Sequence, residues 1–216
     1  MPAQPNQRPA ARRRDADASR RVILDAAEVL FSDRGFDRVS MHAIGRRAGV
    51  SPALPTYFFG SKEGLYRAVM QRLIAEREER LEPLADKAIA TFASTGDLRA
   101  ALELLIGGYI DFLCRHHSLV RLMGREALDG GRRLGPEPRH SLAIQESLAQ
   151  FIGSLPSQPR PVDLEQLVIS TVALCFFPIE HNDTMLAAMG LDATSERFAQ
   201  ARKRHVVDVL NRVLRD

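Results

Sequence analysis

Apolar residues recur every three or four positions along most of this chain, which is the spacing of one face of an α-helix. Between Ser19 and Arg34 they form a single stripe of this kind. After Pro83 every patterned segment keeps the same period, and none alternates apolar and polar residues as a half-buried strand does. The pattern therefore predicts an all-α protein. Outside the segment described next, the predicted helices are 19–34, 61–81, 83–94, 98–116, 118–128, 137–154, 164–178 and 195–214.

The segment from Ser40 to Lys62 has the pattern of two short helices joined by a tight turn. Ser40 is placed to cap the first helix, and Gly49 follows its last apolar position, where a left-handed residue commonly ends a helix. Ser51 can cap the second helix, with Pro52 at its first position. A helix this short is not stable alone, so it must pack on its neighbours and present its other face to something else. The spacing is that of a helix-turn-helix, whose second helix lies in the DNA major groove.

Four short motifs in and after this segment carry a family resemblance: Ile44-Gly45, Ala48-Gly49-Val50-Ser51, Phe58-Phe59 and Ser61-Lys62-Glu63. With them, residues 20–70 resemble the DNA-binding domain of the TetR-type (TetR/AcrR) transcriptional repressors. The rest of the chain fits that family in length and helical character. The resemblance implies an N-terminal three-helix helix-turn-helix domain followed by a C-terminal helical domain that binds a ligand and dimerises.

The second short helix departs from the family pattern at two places. Pro55-Thr56 stands where the family usually has Leu-Tyr, and Phe58 stands where it usually has Tyr or His. Because proline has no backbone N–H, we expect Pro55 to delete the first hydrogen bond of this helix and to tighten or bend it.

The chain is predicted to have three parts: a disordered basic arm at 1–18, a helix-turn-helix domain at 19–66, and an effector-binding and dimerisation domain at 67–216. The arm mixes Pro, Ala, Gln and Arg without periodicity, which is typical of disorder. Its Arg12, Arg13 and Arg14 could reach phosphates or an adjacent minor groove. The alternative is a solvated tail without a role.

Charge is distributed unevenly along the chain. Residues 1–67 contain 12 Lys and Arg against 7 Asp and Glu, whereas the remainder is slightly acidic. The basic part contains the helix-turn-helix, as a surface that binds phosphates requires. An arginine-rich composition also follows from a GC-rich genome, so the preference for Arg over Lys is not evidence by itself.

The resemblance also implies which residues meet double-stranded DNA. Phosphates would be held by Ser40, Thr56, Tyr57 and Lys62, and the start of the second helix would face base edges. Apolar side chains there can read thymine methyls but form no bidentate hydrogen bonds, so specificity would depend on Tyr57, Arg46 and DNA deformability. The alternative for each residue is packing or plain exposure. The predicted DNA-contacting residues are Ser40, Arg46, Ser51, Pro52, Ala53, Leu54, Thr56, Tyr57 and Lys62.

Polar residues set among the apolar helices of the second domain suggest a pocket for a small-molecule effector, because such sites are mostly apolar with a few orienting polar groups. For each residue taken singly, core packing or exposure is the more common explanation. The candidate pocket residues are Phe92, Tyr109, Phe112, His116, Met123, Glu126, Phe151, Phe177 and His181.

Catalysis, metal binding and a cofactor are not expected. The sequence has no HExxH, GxSxG, GxGxxG or GxxxxGK[ST] motif, and His116 and His117 point to different faces of a helix. Cys114 and Cys175 are too few and too distant for a disulfide framework, which together with the lack of a signal peptide predicts a cytoplasmic protein. No apolar run is long enough to span a membrane.

These observations predict a homodimeric transcriptional regulator, most simply a repressor that a small molecule releases from an inverted-repeat operator. The last two long helices would form the dimer interface, because both have more apolar face than a monomer readily covers. Two alternatives stay open. One is a regulator controlled by a protein partner or acting as a nucleoid-type DNA binder. The other is a helical binding protein whose DNA binding has degenerated at Pro55 and Thr56.

Overall fold

The computed structural model describes residues 8–134, 139–156 and 163–215, and these residues form helices and turns without a β-strand. The all-α prediction is confirmed. In the described part of the chain, no helix combines the length and apolar character that crossing a membrane requires. The helices are α1 (Arg8–Arg34), α2 (Met41–Arg47), α3 (Leu54–Phe59), α4 (Lys62–Thr95), α5 (Leu98–Arg115), α6 (His117–Leu128), α7 (Arg139–Gly153), α8 (Leu164–Glu180) and α9 (Glu196–Val213), with a π-helical turn at Asn182–Leu186.

The chain divides into two compact units, of which the first comprises the residues up to Arg72 together with Arg125–Gly135. In this unit α2 packs against both α1 and α3, and α1 also contacts α3. The predicted boundary after residue 66 therefore falls within α4, before the end of the first unit. Its core includes fully buried side chains from three helices, α1, α2 and α4: Ile23, Ala27, Phe31, Ile44, Leu65 and Val69.

The second unit comprises Leu73–Gly124 and the chain from Pro136 onward. Its most buried element is α5, which packs against both α8 and α9, and α7 packs against α8. Asp97 caps α5 by accepting a hydrogen bond from the backbone N–H of Ala100 at 3.1 Å, and Ser195 caps α9 in the same way. Both helix starts agree with the sequence prediction.

The helix α1 is longer than the hydrophobic pattern predicts. It begins at Arg8, so residues 8–18, which were expected to be disordered, continue the helix that the apolar stripe starts at Ser19. These residues favour helix because alanine and arginine both have high helix propensity. Residues 1–7 of the predicted arm lie outside the described residues.

Two prolines were expected to interrupt helices and do not. The helix α4 runs through Pro83, which joins the two predicted helices 61–81 and 83–94 into one. Pro83 is exposed, as is Glu79, whose carbonyl loses its helical partner, so water can replace the missing hydrogen bond. The helix α8 likewise continues past Pro178 to Glu180.

Candidate functional site

The helix α2 is built as its sequence predicts. Ser40 accepts a hydrogen bond from the backbone N–H of Ala43 at 3.1 Å and so caps the helix. Ile44 and Gly45 are buried, and the helix stops at Gly49, whose φ of +69° is the left-handed conformation that glycine adopts without strain. The first half of the helix-turn-helix is thus determined by local capping and by one apolar face.

The turn after α2 differs from the prediction. Ser51 and Pro52 do not begin α3. They lie in a turn in which the N–H of Leu54 donates to the carbonyl of Ser51 at 3.0 Å. The helix starts at Leu54 with Ala53 as an N-cap that has no side-chain hydrogen bond. This two-residue shift makes Pro52 part of the turn between the helices.

This shift also removes the expected cost of Pro55. It stands at the second position of α3, where a backbone N–H has no helical partner in any case. The first helical hydrogen bond, from the N–H of Tyr57 to the carbonyl of Ala53, is present at 3.0 Å. The expectation that Pro55 tightens or bends α3 is therefore wrong: its ring is buried and the helix is intact up to Gly60.

Most of the predicted DNA-contacting residues lie on the exposed side of the helix-turn-helix. Tyr57 is the extreme case, because 80% of its surface is exposed although it is aromatic. Leu54 and Lys62 are half-buried. The exposed residues of the set are Ser40, Arg46, Ser51, Pro52, Ala53, Thr56 and Tyr57.

Lys62 is held by the loop that follows α1. Its ammonium group donates to the carbonyl of Phe36 at 3.1 Å and lies 4.3 Å from the centre of the Phe36 ring. An ammonium has three N–H donors, so this contact leaves donors for a phosphate. The phosphate role of Lys62 stays a prediction, and the structure adds a packing role.

Two arginines near α3 were not among the predicted contacts. Arg47 is exposed next to Arg46 in the last turn of α2, and Arg20 of α1 lies 4.6 Å from the centre of the Phe59 ring. The adjacent basic pair at 46–47 was visible in the sequence, whereas the cation–π contact of Arg20 joins residues far apart in the chain.

The first unit contains a hydrogen bond between two buried polar side chains. The hydroxyl of Tyr66 donates to a carboxylate oxygen of Glu126 at 2.9 Å, and both side chains are 1% exposed. The other oxygen of Glu126 accepts from the backbone N–H of Arg133 at 3.2 Å. Burial and the hydrogen bond to Glu126 raise the pKa of Tyr66 well above its usual range. Glu126 lies in the first unit, and its role in the effector pocket stays a prediction.

The other candidate pocket residues differ in burial, and their role in an effector pocket stays a prediction. Tyr109, Phe112 and Phe151 are buried core residues, whereas Phe177 is exposed. His116 stacks on Phe112 with ring centres 4.1 Å apart, and Phe177 contacts His181 edge to face. The remaining two, Phe92 and Met123, are half-buried.

A small cavity of about 10 Å³ lies in the second unit and is lined by one of the candidates, Tyr109. This volume is about what one water molecule needs. Its other lining residues are Leu81, Leu105, Ile106, Ser147, Leu148 and Thr171. Within the described residues, no group of three or more His, Cys, Asp or Glu side chains is arranged to hold a metal ion.

The chain matches two family models. Residues 23–69 match "Bacterial regulatory proteins, tetR family", and residues 99–210 match "Tetracyclin repressor-like, C-terminal domain". The second match covers more than half of the chain.

Individual proteins give similar results. The chain is 37% identical over 87 residues to the HTH-type transcriptional regulator BetI of Rhizobium meliloti, which covers 40% of this chain and 39% of BetI. It is 24% identical to the HTH-type transcriptional repressor NicS of Pseudomonas putida over 86% of this chain and 87% of NicS. A TetR-family regulator from Mesorhizobium loti has the same fold, with a TM-score of 0.65 at 19% identity over 92% of this chain and 97% of that one.

Proposed function

This chain belongs to the TetR family of bacterial regulatory proteins, and from this premise we propose that it is a transcriptional repressor that binds an inverted-repeat operator as a homodimer. A small-molecule effector bound by the second unit releases it. The observation that carries the DNA-binding proposal is the exposed surface of α2, the turn and α3, where Tyr57 is 80% exposed. An aromatic side chain this exposed does not stabilise the core, but it is available to a partner.

The chemistry of this surface suits a major groove. Arg46 and Arg47 place two cations at the end of α2, where they can pair with phosphates. Pro52 and Ala53 are exposed and apolar, so they can contact thymine methyls, while the Tyr57 hydroxyl can hydrogen-bond to a base edge or a phosphate. The surface can therefore bind the phosphates of the DNA backbone and can also recognise a few base edges directly.

Dimerisation is proposed through α8 and α9. Ile169 and Phe177 of α8 are 60% and 42% exposed, and Val213 at the end of α9 is 46% exposed. Large apolar side chains exposed on the same two helices favour a subunit interface. A two-fold dimer presents two recognition helices, so the operator should be an inverted repeat.

Effector control requires the two units to communicate. The helix α4 supplies its first residues to the first unit and the rest to the second, and it is continuous through Pro83. If an effector binds more tightly to the conformation that binds DNA poorly, linkage lowers operator affinity by the same factor. Repression rather than activation is favoured by NicS, a relative along most of the chain that is named a repressor. The regulator would act in the cytoplasm, where its operator is.

The test is a selection of bound fragments from random DNA with the full chain, followed by titration of the selected site. We expect an inverted repeat bound at least about a thousandfold more tightly than random DNA. Tyr57→Ala should weaken operator binding about tenfold or more without lowering the melting temperature, because the side chain is exposed. Leu128→Ala is the matched control: Leu128 is 89% exposed in the same unit but outside the helix-turn-helix.

Weak, uniform and salt-sensitive binding by the wild-type protein would contradict the proposal. That result would favour the alternative of a helical protein with degenerate DNA binding. Specific binding that responds to no small molecule would instead favour control by a protein partner.

A further inference from the structure

The second unit contains a buried arginine whose hydrogen-bond donors are only partly used by the described residues. Arg77 of α4 is 5% exposed, and its Nε and Nη2 atoms are buried without a hydrogen-bond partner among the described residues. Buried guanidinium groups in proteins are almost always paired, because leaving a charge without hydrogen bonds in an apolar environment is strongly unfavourable. A buried arginine with free donors therefore indicates that something supplies an acceptor.

Neighbouring groups offset the burial of Arg77 only in part. Burial lowers the pKa of Arg77, and the nearby Tyr109 and Glu78 act in the opposite direction without reversing the shift. Tyr109 is 4% exposed, and burial raises its own pKa well above its usual range, so its phenol stays neutral. A neutral phenol can donate a hydrogen bond to an anion but cannot replace a counter-ion.

The same tyrosine, Tyr109, lies near both Arg77 and the small cavity. Tyr109 lines that cavity, and so does Leu81, which lies one helical turn after Arg77 on the same face of α4. Leu105, Ile106 and Leu148 make the lining mostly apolar, with buried hydroxyl groups of Ser147 and Thr171. The hydroxyl of Thr171 is already used, since it donates to the carbonyl of Leu167 at 2.7 Å.

We propose that Arg77 is the anion-binding group of the effector site and that its ligand is an organic monocarboxylate with an apolar body. The carboxylate accepts from the free N–H groups of Arg77, and the apolar body lies between α4, α5 and the facing side chains Leu148 and Thr171. This inference rests on the proposed function only in calling the ligand an effector.

The chemistry of the site selects this ligand class. One buried cation balances one negative charge, so a phosphate dianion would leave an unpaired buried charge, whereas a carboxylate matches the planar guanidinium. The apolar lining favours a hydrocarbon body over a sugar or a polyol. Because the cavity has room for about one water molecule, the ligand must displace lining side chains such as Leu148 as it enters.

The experiment measures melting temperatures of the full chain with millimolar butyrate, octanoate or benzoate, and with the matched alcohols butanol, octanol and benzyl alcohol. We expect at least one acid to raise the wild-type melting temperature while its alcohol does not, because ligands that bind the folded state stabilise it. Arg77→Met should weaken binding of that acid about tenfold or more, the loss expected when a hydrogen bond to a charged group is removed. Arg77→Lys keeps the charge and should retain part of the response.

The melting temperature of the unliganded protein provides an independent test. Arg77→Met should raise its melting temperature, because it removes an unpaired buried charge and keeps a side chain of similar length. The matched control is Arg202→Met in α9: Arg202 donates to the carbonyl of Leu174 through Nε at 2.7 Å and Nη2 at 2.5 Å. We expect this variant to lower the melting temperature and to respond to the acid as the wild type does.

Two results would overturn the proposal: no acid stabilises the wild type more than its alcohol, or an acid stabilises wild type and Arg77→Met equally. A lower melting temperature of unliganded Arg77→Met would also overturn it, since Arg77 would then be an ordinary structural residue. Operator titration of the same preparations distinguishes a failure of the repressor proposal from a failure of the carboxylate-binding proposal. Acid binding that depends on Arg77 in a protein without a specific operator refutes the repressor proposal, whereas operator binding without acid binding refutes this one.

Discussion

Gly45 of α2 and Pro52 of the following turn approach so closely that a methyl group on Gly45 would lie 2.9 Å from the Cα atom of Pro52. The same methyl group would lie 3.3 Å from the carbonyl oxygen of Ser51. Both contacts are with backbone, so no change of the Pro52 side chain relieves them. This chain therefore has at position 45 the glycine that its own turn requires.

Gly45→Ala should therefore lower the free energy of unfolding by about 1–2 kcal/mol, after the gain in helix propensity is allowed for. It should also weaken operator binding, because the turn that positions α3 must move. Chemical denaturation and operator titration measure both effects. The control is Gly153→Ala at the end of α7, where an added methyl group meets nothing within 4 Å and stability should stay equal or rise slightly. An unchanged stability of Gly45→Ala would show that the turn adapts freely.

Tyr66→Phe tests the buried hydrogen bond of the first unit. Removing the hydroxyl leaves Glu126, which is 1% exposed, with one acceptor site unfilled. We expect a loss of about 1.5–3 kcal/mol, the range for hydrogen bonds to charged groups. Tyr57→Phe removes the same hydroxyl from an exposed tyrosine and should change stability by less than about 0.5 kcal/mol. Equal stabilities of the two variants would mean that water replaces the Tyr66 hydroxyl at Glu126.

The raised pKa of Tyr66 gives the stability a pH dependence of known sign. Burial, followed by the hydrogen bond to Glu126, keeps its phenol protonated in the folded state at a pH where the unfolded chain releases the proton. The unfolded state then binds fewer protons, so stability falls as pH rises above about 10, the unperturbed pKa of tyrosine. Denaturation curves at increasing alkaline pH should show a steeper decline for wild type than for Tyr66→Phe. Parallel declines would assign the effect to other groups.

The two cysteines should differ in reactivity toward a thiol reagent. Cys175 is 1% exposed, and burial raises its pKa to about 12, so it forms little thiolate. Cys114 is partly exposed, although burial raises its pKa as well. In the folded protein we expect slow labelling of Cys114 and none of Cys175, while denaturant exposes both. Mass spectrometry of the labelled protein checks this, with Cys114→Ala as the control that should stay unlabelled until it unfolds.

The sequence alone determined the helical class, the family and the helix ends that depend on neighbouring residues. Matching family models confirm the family assignment, and a family of regulators agrees with the prediction that the chain is not an enzyme. Ser40, Gly49 and Asp97 act within their own helix ends, and their effect could therefore be read from a few consecutive residues. The exposed face of the helix-turn-helix followed from the same local pattern.

Tertiary structure decided what depends on distant residues. The turn that precedes the start of α3 at Leu54 packs closely on Gly45, and Pro83 stays helical because its solvent-exposed side tolerates a missing hydrogen bond. Glu126 is buried against Tyr66, a residue 60 positions earlier in the chain, which no periodic pattern reveals. Arg77 resembles the other charged residues of α4 in the sequence, and folding buries its Nε and Nη2 atoms without an acceptor among the described residues. Capping and periodicity act over one or two turns, whereas burial and pairing are set by contacts between segments that only folding brings together.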